Sequence, residues 1–174
     1  MREGRSPAGV FDYLRRKRAY SVLTPVAPGL FLSGEPDESG PLIVRGIQNV
    51  LAVAQECPDW HLRGVPGLRI AHVGFEDWVP MPRAQTTRVL RTLRELLQRG
   101  PTLVHCGIGV SRSPSVIALY WIATGVVRTF AEGVARLQAL RPCVAPNDVA
   151  REAAQGVAWR LRQEWAPKRL DKRR

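Results

Sequence analysis

The stretch Leu103–Pro114 reads LVHCGIGVSRSP, and the rest of the chain is best read outward from it. It begins inside a short apolar run, 102–105, that predicts a strand. After Arg112 it continues as SPSVIALYWIAT, apolar nearly all round. That pattern predicts a buried helix with Pro114 in its first turn, where no amide partner is needed. Between the two, Cys106 opens a loop and Arg112 closes it. A loop between a strand end and a helix N-terminus presents backbone N–H groups and the positive end of the helix dipole. Gly107 and Gly109 remove side chains where a backbone curls around a ligand. Such a loop suits a tetrahedral oxyanion. Amides take the equatorial oxygens, and a guanidinium forks across two of them. The same field favours the thiolate of Cys106, the form that attacks phosphorus.

Upstream, 29–33 (GLFLS), 48–54 (QNVLAVA) and 69–74 (RIAHVG) are short apolar runs and predict three more strands. Between the last of these and 102–105, the residues Val89, Leu90, Leu93, Leu96 and Leu97 recur at helical spacing, and Gly100 follows as a stop. Downstream, Thr129 and Glu132 form a capping box for the helix in TFAEGVARLQALR, which Pro142 ends. Asn147 is positioned to cap a last helix running to about Trp165. Strands alternating with helices, then a run of helices, predict one α/β domain around a central sheet.

At 174 residues the chain is long enough to bury a real core. The longest mostly apolar run, Val116 to Val127, is too short to span a bilayer, and the N-terminus lacks the apolar segment of a secretory signal. Three scattered cysteines argue against a disulfide framework or zinc site and for a reducing, cytoplasmic setting. The net charge of +11 is concentrated at the ends: +4 in 1–20, +5 in 160–174 and only +2 between. The expected organisation is a basic extension 1–20, a domain 21–165 and a basic tail 166–174. Such ends either recruit an acidic partner or anionic membrane surface, or only aid solubility.

Taken singly, the loop residues have ordinary explanations. A cysteine ending a buried strand is usually core, a glycine pair is usually a turn, and Ser-Arg-Ser-Pro is usually surface. At these fixed offsets the set arises by chance on the order of once in 10⁴ chains of this length or more rarely, given ordinary residue frequencies.

HCGIGVSRS resembles the His-Cys-x-x-Gly-x-x-Arg-Ser signature of the cysteine-dependent protein tyrosine phosphatase superfamily. The continuation RSPSVIALYWI and the later ALRPCVAPN look like its dual-specificity branch, and the likeness runs from about Val26 to Trp159. It implies a phosphotyrosine phosphatase II-like fold, with a central mixed sheet flanked by helices. It also implies a phosphomonoester hydrolase acting through a phosphocysteine on phosphotyrosine and phosphoserine/threonine proteins, with no cofactor and no obligatory metal. By the same resemblance Cys106 is the nucleophile and Arg112 binds the phosphoryl group. Ser113 donates to the departing thiolate, and His105 holds the loop from behind. The amides of Gly107, Ile108, Gly109, Val110, Ser111 and Arg112 form the cradle.

Such chemistry needs a carboxylic acid to protonate the leaving oxygen. The family carries an aspartate on a mobile loop about thirty residues before its cysteine. Here VGFEDWVPMP places Asp77 twenty-nine residues before Cys106, with Glu76 as its rival. Trp78, next to the acid, either packs over the substrate or anchors the loop. Cys57 is either a redox partner for Cys106 or a buried apolar residue, and Cys143 carries no signal.

Other classes fit less well. A low-molecular-weight phosphatase or arsenate reductase places its cysteine loop after the first strand. A rhodanese-like carrier needs neither Asp77 nor Ser113, and a kinase would show a Gly-Lys-Ser/Thr loop. A non-enzymatic phosphate or nucleic-acid binder would leave the intact Cys106–Arg112–Ser113 set unexplained, and no aromatic-basic interleaving supports it. The loop interior, Gly107 to Ser111, holds no lysine or arginine. This favours phosphoprotein over phosphoinositide, phospholipid head group or RNA 5′-phosphate.

Overall fold

The computed structural model describes residues 21–56, 62–147 and 151–166. In chain order the elements are β1 (Thr24–Ala27), β2 (Leu30–Ser33), α1 (Gly40–Val44), β3 (Asn49–Ala54), β4 (Arg69–Phe75), α2 (Arg83–Arg99), β5 (Thr102–His105), α3 (Arg112–Thr124), α4 (Phe130–Leu140) and α5 (Arg151–Trp165). Five strands form one mixed sheet in the order β1-β2-β5-β3-β4. Only β1 runs antiparallel; β2, β5, β3 and β4 are parallel neighbours.

The four predicted strands and the helices over 83–99, 112–124 and 130–140 are present, close to their expected bounds. Two elements had no sequence signal. β1 is TPVA, four residues with a proline, which fits an edge strand because proline has no N–H for a ladder. α1 is GPLIV, shorter than two turns, so no helical period can develop in it. The last helix is present as α5, but residues 148–150, where the sequence places its start, lie outside the described residues, as does Cys57.

Alternating strand residues feed two cores. Leu51, Val53 and Val104 face α2, α3, α4 and α5. Val50 and Leu103 face the other way, onto Leu42 of α1, Ile47 and Leu62. The apolar stripe of α2 is buried at Val89, Leu90, Leu93 and Leu96, as its spacing requires. Each such side chain stabilises the fold by roughly 1.5–3 kcal/mol. α3 is buried nearly all round because the sheet covers one side and α4 and α5 cover the others. At Gly133 of α4 a Cβ would lie 2.8 Å from the Ala118 Cβ, so glycine permits the close approach of α3 and α4. The predicted cap forms with a shifted return bond: Thr129 Oγ1 accepts from the Glu132 N–H at 3.2 Å, and Glu132 reaches back one residue past the cap, to the Arg128 N–H at 2.7 Å. Among the described residues no helix is long and apolar enough to cross a membrane.

Register positions the site. His105, the last residue of β5, pairs with Ser33 of β2 and Ala52 of β3. β2 and β5 therefore end level, β3 runs two residues further beside the end of β4, and the segments leaving these strands gather at one edge. An open parallel sheet presents its binding crevice there.

Candidate active site

The loop 106–111 joins β5 to α3 and is held from outside by its carbonyls. The Glu35 N–H donates to Gly107 O at 3.1 Å, and the Ala145 N–H to Val110 O at 2.9 Å. Arg141 donates Nε to Gly109 O at 3.2 Å and Nη2 to Ile108 O at 3.5 Å. In a trans peptide the N–H points opposite to the C=O. Four anchored carbonyls, 107 to 110, thus leave the N–H groups of 108 to 111 turned into the loop. At Gly109 φ is +68°, and a Cβ would meet the Ser33 carbonyl carbon and oxygen at 2.5 Å and Gly34 N at 2.6 Å. Only glycine satisfies both the left-handed backbone and this contact with the end of β2.

Cys106 is 1% exposed, and its Sγ accepts a hydrogen bond from Ser113 Oγ at 3.3 Å. His105 is fully buried in the last position of β5, with Nδ1 3.3 Å from Cys106 O. Arg112 opens α3 and is buried. Its Nη1 donates to Glu56 Oε2 at 2.7 Å and to Phe75 O at 3.3 Å, and its Nη2 donates to Glu56 Oε1. Its Nε is buried with no hydrogen-bond acceptor; Asp77 Oδ2 lies 3.5 Å away, near enough for charge attraction only. Burial works against the Arg112 charge. The Glu56 hydrogen bonds and the charges of Cys106, Glu56 and Asp77 outweigh it and hold the guanidinium pKa above its ordinary value. The bond to Arg112 in turn holds the Glu56 carboxyl below the usual carboxylate range, against a smaller opposing effect of burial.

Of the two candidate acids, Asp77 is the one brought to the loop. Its Oδ1 accepts from Ser111 Oγ at 3.0 Å, while Glu76 is exposed. Trp78 follows with φ of 63° and 73% exposure, so its indole is open to solvent beside the acid. Ile108 on the loop is also exposed, and Cys143 is a half-buried free thiol. Three residues of the site have roles the sequence reading did not assign. Glu56 follows β3 by two residues, and its only sequence signal is its place at a strand's carboxyl end. Arg141 ends α4, where it reads as a cap. Asn147 donates Nδ2 to Asp77 Oδ1 at 2.5 Å, besides any part it plays at the start of α5. Among the described residues no group of three or more His, Cys, Asp or Glu side chains is gathered to hold a metal ion.

An oxyanion cradle of inward amides, a buried thiol and an arginine whose Nε–H is without an acceptor can bind and attack a phosphoryl group. Comparison with known proteins agrees. Residues 35–165 match the family model described as the Swiss Army Knife protein, DSP-PTPase phosphatase domain. The chain belongs to this phosphatase family. The curated dual specificity protein phosphatase 15 of Rattus norvegicus is 28% identical over 144 residues, covering 79% of this chain and 58% of its own. The chain therefore spans a little over half the length of that curated relative. The crystal structure of DUSP15 superposes with a TM-score of 0.69 at 19% identity, over 82% of this chain and 93% of the other. PTPMT1 in complex with PI(5)P shares the fold at a TM-score of 0.64 and 14% identity, over 82% and 95%.

Proposed function

We propose that the DSP-PTPase domain of this chain, residues 21–165, hydrolyses phosphomonoesters through a phosphocysteine and acts on phosphotyrosine and phosphoserine/threonine in proteins. The observation that carries this reading is the open Nε–H of Arg112, buried at the rim of a loop whose four carbonyls are tied outward. A buried donor without an acceptor costs about 1–3 kcal/mol, and a phosphoryl oxygen would satisfy it.

In the first step the Cys106 thiolate attacks phosphorus and an S–P bond forms. The P–O bond to the substrate breaks, and Asp77 gives its proton to the leaving oxygen. The amides of 108 to 111 and Arg112 bind the equatorial oxygens, where charge gathers in the transition state. In the second step water attacks phosphorus and the S–P bond breaks. Asp77 recovers the proton, and the Ser113 hydroxyl stabilises the returning thiolate. His105, buried against the Cys106 carbonyl, holds the loop. A buried thiol that must stay reduced fits the reducing cytoplasm.

Two observations support a phosphoprotein substrate: the curated relative is a dual specificity protein phosphatase, and the loop interior carries no basic side chain to bind a second phosphate. The second reading, a phosphoinositide, is favoured by the fold shared with PTPMT1, which was crystallised with PI(5)P. The basic ends, 1–20 and 166–174, would recruit acidic partners or anionic membranes, or serve solubility alone. The test compares kcat/KM of the full chain on phosphotyrosine and phosphothreonine peptides with that on phosphoinositide in anionic vesicles. Faster peptide hydrolysis supports the reading. Hydrolysis confined to the vesicles replaces it with the second, and no hydrolysis of any ester leaves a phosphate-binding module.

A further inference from the structure

The segments around the cradle carry charge of one sign. Glu35, Asp37 and Glu38 lie on 34–39, which leaves β2; Glu56 follows β3; Glu76 and Asp77 lie on 76–82 after β4. The loop 106–111 and the segment 142–147 add no Asp, Glu, Lys or Arg. None of these stretches holds a lysine or arginine, and the basic residues that adjoin them are Arg83, Arg112 and Arg141. Other arginines, such as Arg88 and Arg99 of α2, Arg128 and Arg160, are exposed on the helices. The chain as a whole is strongly basic, at +11, yet the edge that binds phosphate is acidic.

The sign matters at short range. Arg112 already feels the charges of Glu56, Cys106 and Asp77, so its single positive charge is more than balanced before a phosphate dianion arrives. Like charges brought together in docking cost affinity and rate. The field of the basic helices is screened beyond about 10 Å at 0.1 M salt, so the acids nearest the cradle set the local sign. A phosphate is admitted most readily when its carrier brings cations beside it.

One side of this rim is shaped as well as charged. Leu23, Pro36, Pro41 and Leu42, with Asp37 and Glu38, line a cleft of about 230 Å³. It stands beside the cradle, because Glu35, one residue before Pro36, donates its N–H to Gly107 O at 3.1 Å. Apolar walls ending in carboxylates suit a side chain with an apolar stem and a cationic head. The seat of the phosphate is marked independently. Arg112 Nε lacks an acceptor, in a side chain only 9% exposed.

We propose that the substrate is a phosphoprotein segment with arginine beside the phosphorylated residue, its phosphate in the cradle and its guanidinium in the cleft against Glu38. Glu76 favours basic residues on the acid-segment side. The inference rests on the phosphoprotein reading and names the kind of sequence it acts on.

The experiment measures kcat/KM of the full chain on three phosphotyrosine peptides that differ only in the flanking residues: arginine, alanine or glutamate. A small aryl phosphate serves as the reference. The expected order is arginine above alanine above glutamate, with about 1.5- to 5-fold per flanking charge, the worth of an exposed ion pair. The spread should narrow at high salt. The net charge of the chain favours the opposite order, so this order reports the acidic rim. Glu38→Gln and Glu76→Gln should each reduce the arginine advantage, and Glu38→Lys with Glu76→Lys should reverse it, all with aryl phosphate turnover unchanged. Equal rates on the three peptides, a preference for glutamate, or an arginine preference that ignores both salt and the Glu38 and Glu76 variants overturns the proposal. Aryl phosphate turnover without the peptide order sinks this inference alone. No turnover of any ester removes the enzymatic reading and the inference with it.

Discussion

Glu56 grips Arg112 through both terminal nitrogens of the guanidinium, across 56 positions of sequence. The pair is uneven, with the arginine side chain 9% exposed and the glutamate 59%. A planar fork held by both terminal nitrogens cannot rotate, so Nε stays on the side of Asp77. Glu56→Gln should therefore weaken oxyanion binding without touching the thiol. The expected loss is about 10- to 100-fold in kcat/KM, the worth of a hydrogen bond to a charged group. Steady-state kinetics and vanadate inhibition of the variant check it.

The same pair makes a pH prediction. Arg112 holds the Glu56 carboxyl below its ordinary value, so the pair's contribution to stability is present above the unfolded carboxylate pKa. It is lost as pH falls through the lower, folded value. The difference in Tm between the parent and Glu56→Gln should be largest near neutrality and close on acidification below the usual carboxylate range. A difference that widens with acid would reverse the sign and refute the assignment.

Replacing Cys106, the proposed nucleophile, should separate binding from turnover. Cys106→Ser should bring hydrolysis to background while phosphopeptide binding persists, since the anchored carbonyls and Arg112 remain. Arg112→Lys should lose about 10²–10³-fold in kcat, the worth of an oxyanion donor, because an ammonium cannot fork across two oxygens. Calorimetric binding beside turnover assays distinguishes the two variants.

The carboxylates can be told apart by leaving group. Asp77→Asn should cost about 10²–10⁴-fold on esters of poor leaving groups and much less on activated aryl phosphates. Glu76→Gln, at an exposed position, should change neither. The reverse pattern in the same assay would mean that the wrong carboxylate carries the proton.

The two glycines of the loop should respond differently. Gly109→Ala combines a left-handed backbone, costing about 1–2 kcal/mol, with overpacking against Ser33 and Gly34, costing about 1–3 kcal/mol. A Cβ at Gly107 would stand 3.6 Å from Arg112 Nη2 and 3.7 Å from Glu56 Oε1, at ordinary contact distance. Denaturant unfolding should show Gly109→Ala markedly destabilised and Gly107→Ala close to the parent.

What the sequence made legible was local. The end of β5, the loop and the first turn of α3 are contiguous, so the order strand, loop, helix placed Cys106 and Arg112, and the resemblance added Ser113. The α2 stripe and the Thr129–Glu132 box were legible for the same reason. β1 and α1 escaped because four residues with a proline, or five beginning Gly-Pro, are too short to carry a period. Glu56, Arg141 and Asn147 escaped for a different reason. Each works by contact with residues at least 32 positions away, and neither ALRPCVAPN, which holds Arg141 and Asn147, nor the strand end at Glu56 says which distant residue is the partner. Asn147 in particular has a sufficient local explanation as a helix cap, which hid its bond to Asp77.

Arg141 binds more than the loop. The guanidinium that holds Gly109 O and Ile108 O also donates through Nη1 to Val22 O at 2.9 Å and Thr24 Oγ1 at 3.1 Å. The entrance to β1 and the floor of the anion cradle thus share one rigid fastening. Losing that guanidinium would therefore free two carbonyls of the loop and the segment leading into β1 in a single substitution, although the two lie more than eighty positions apart in sequence.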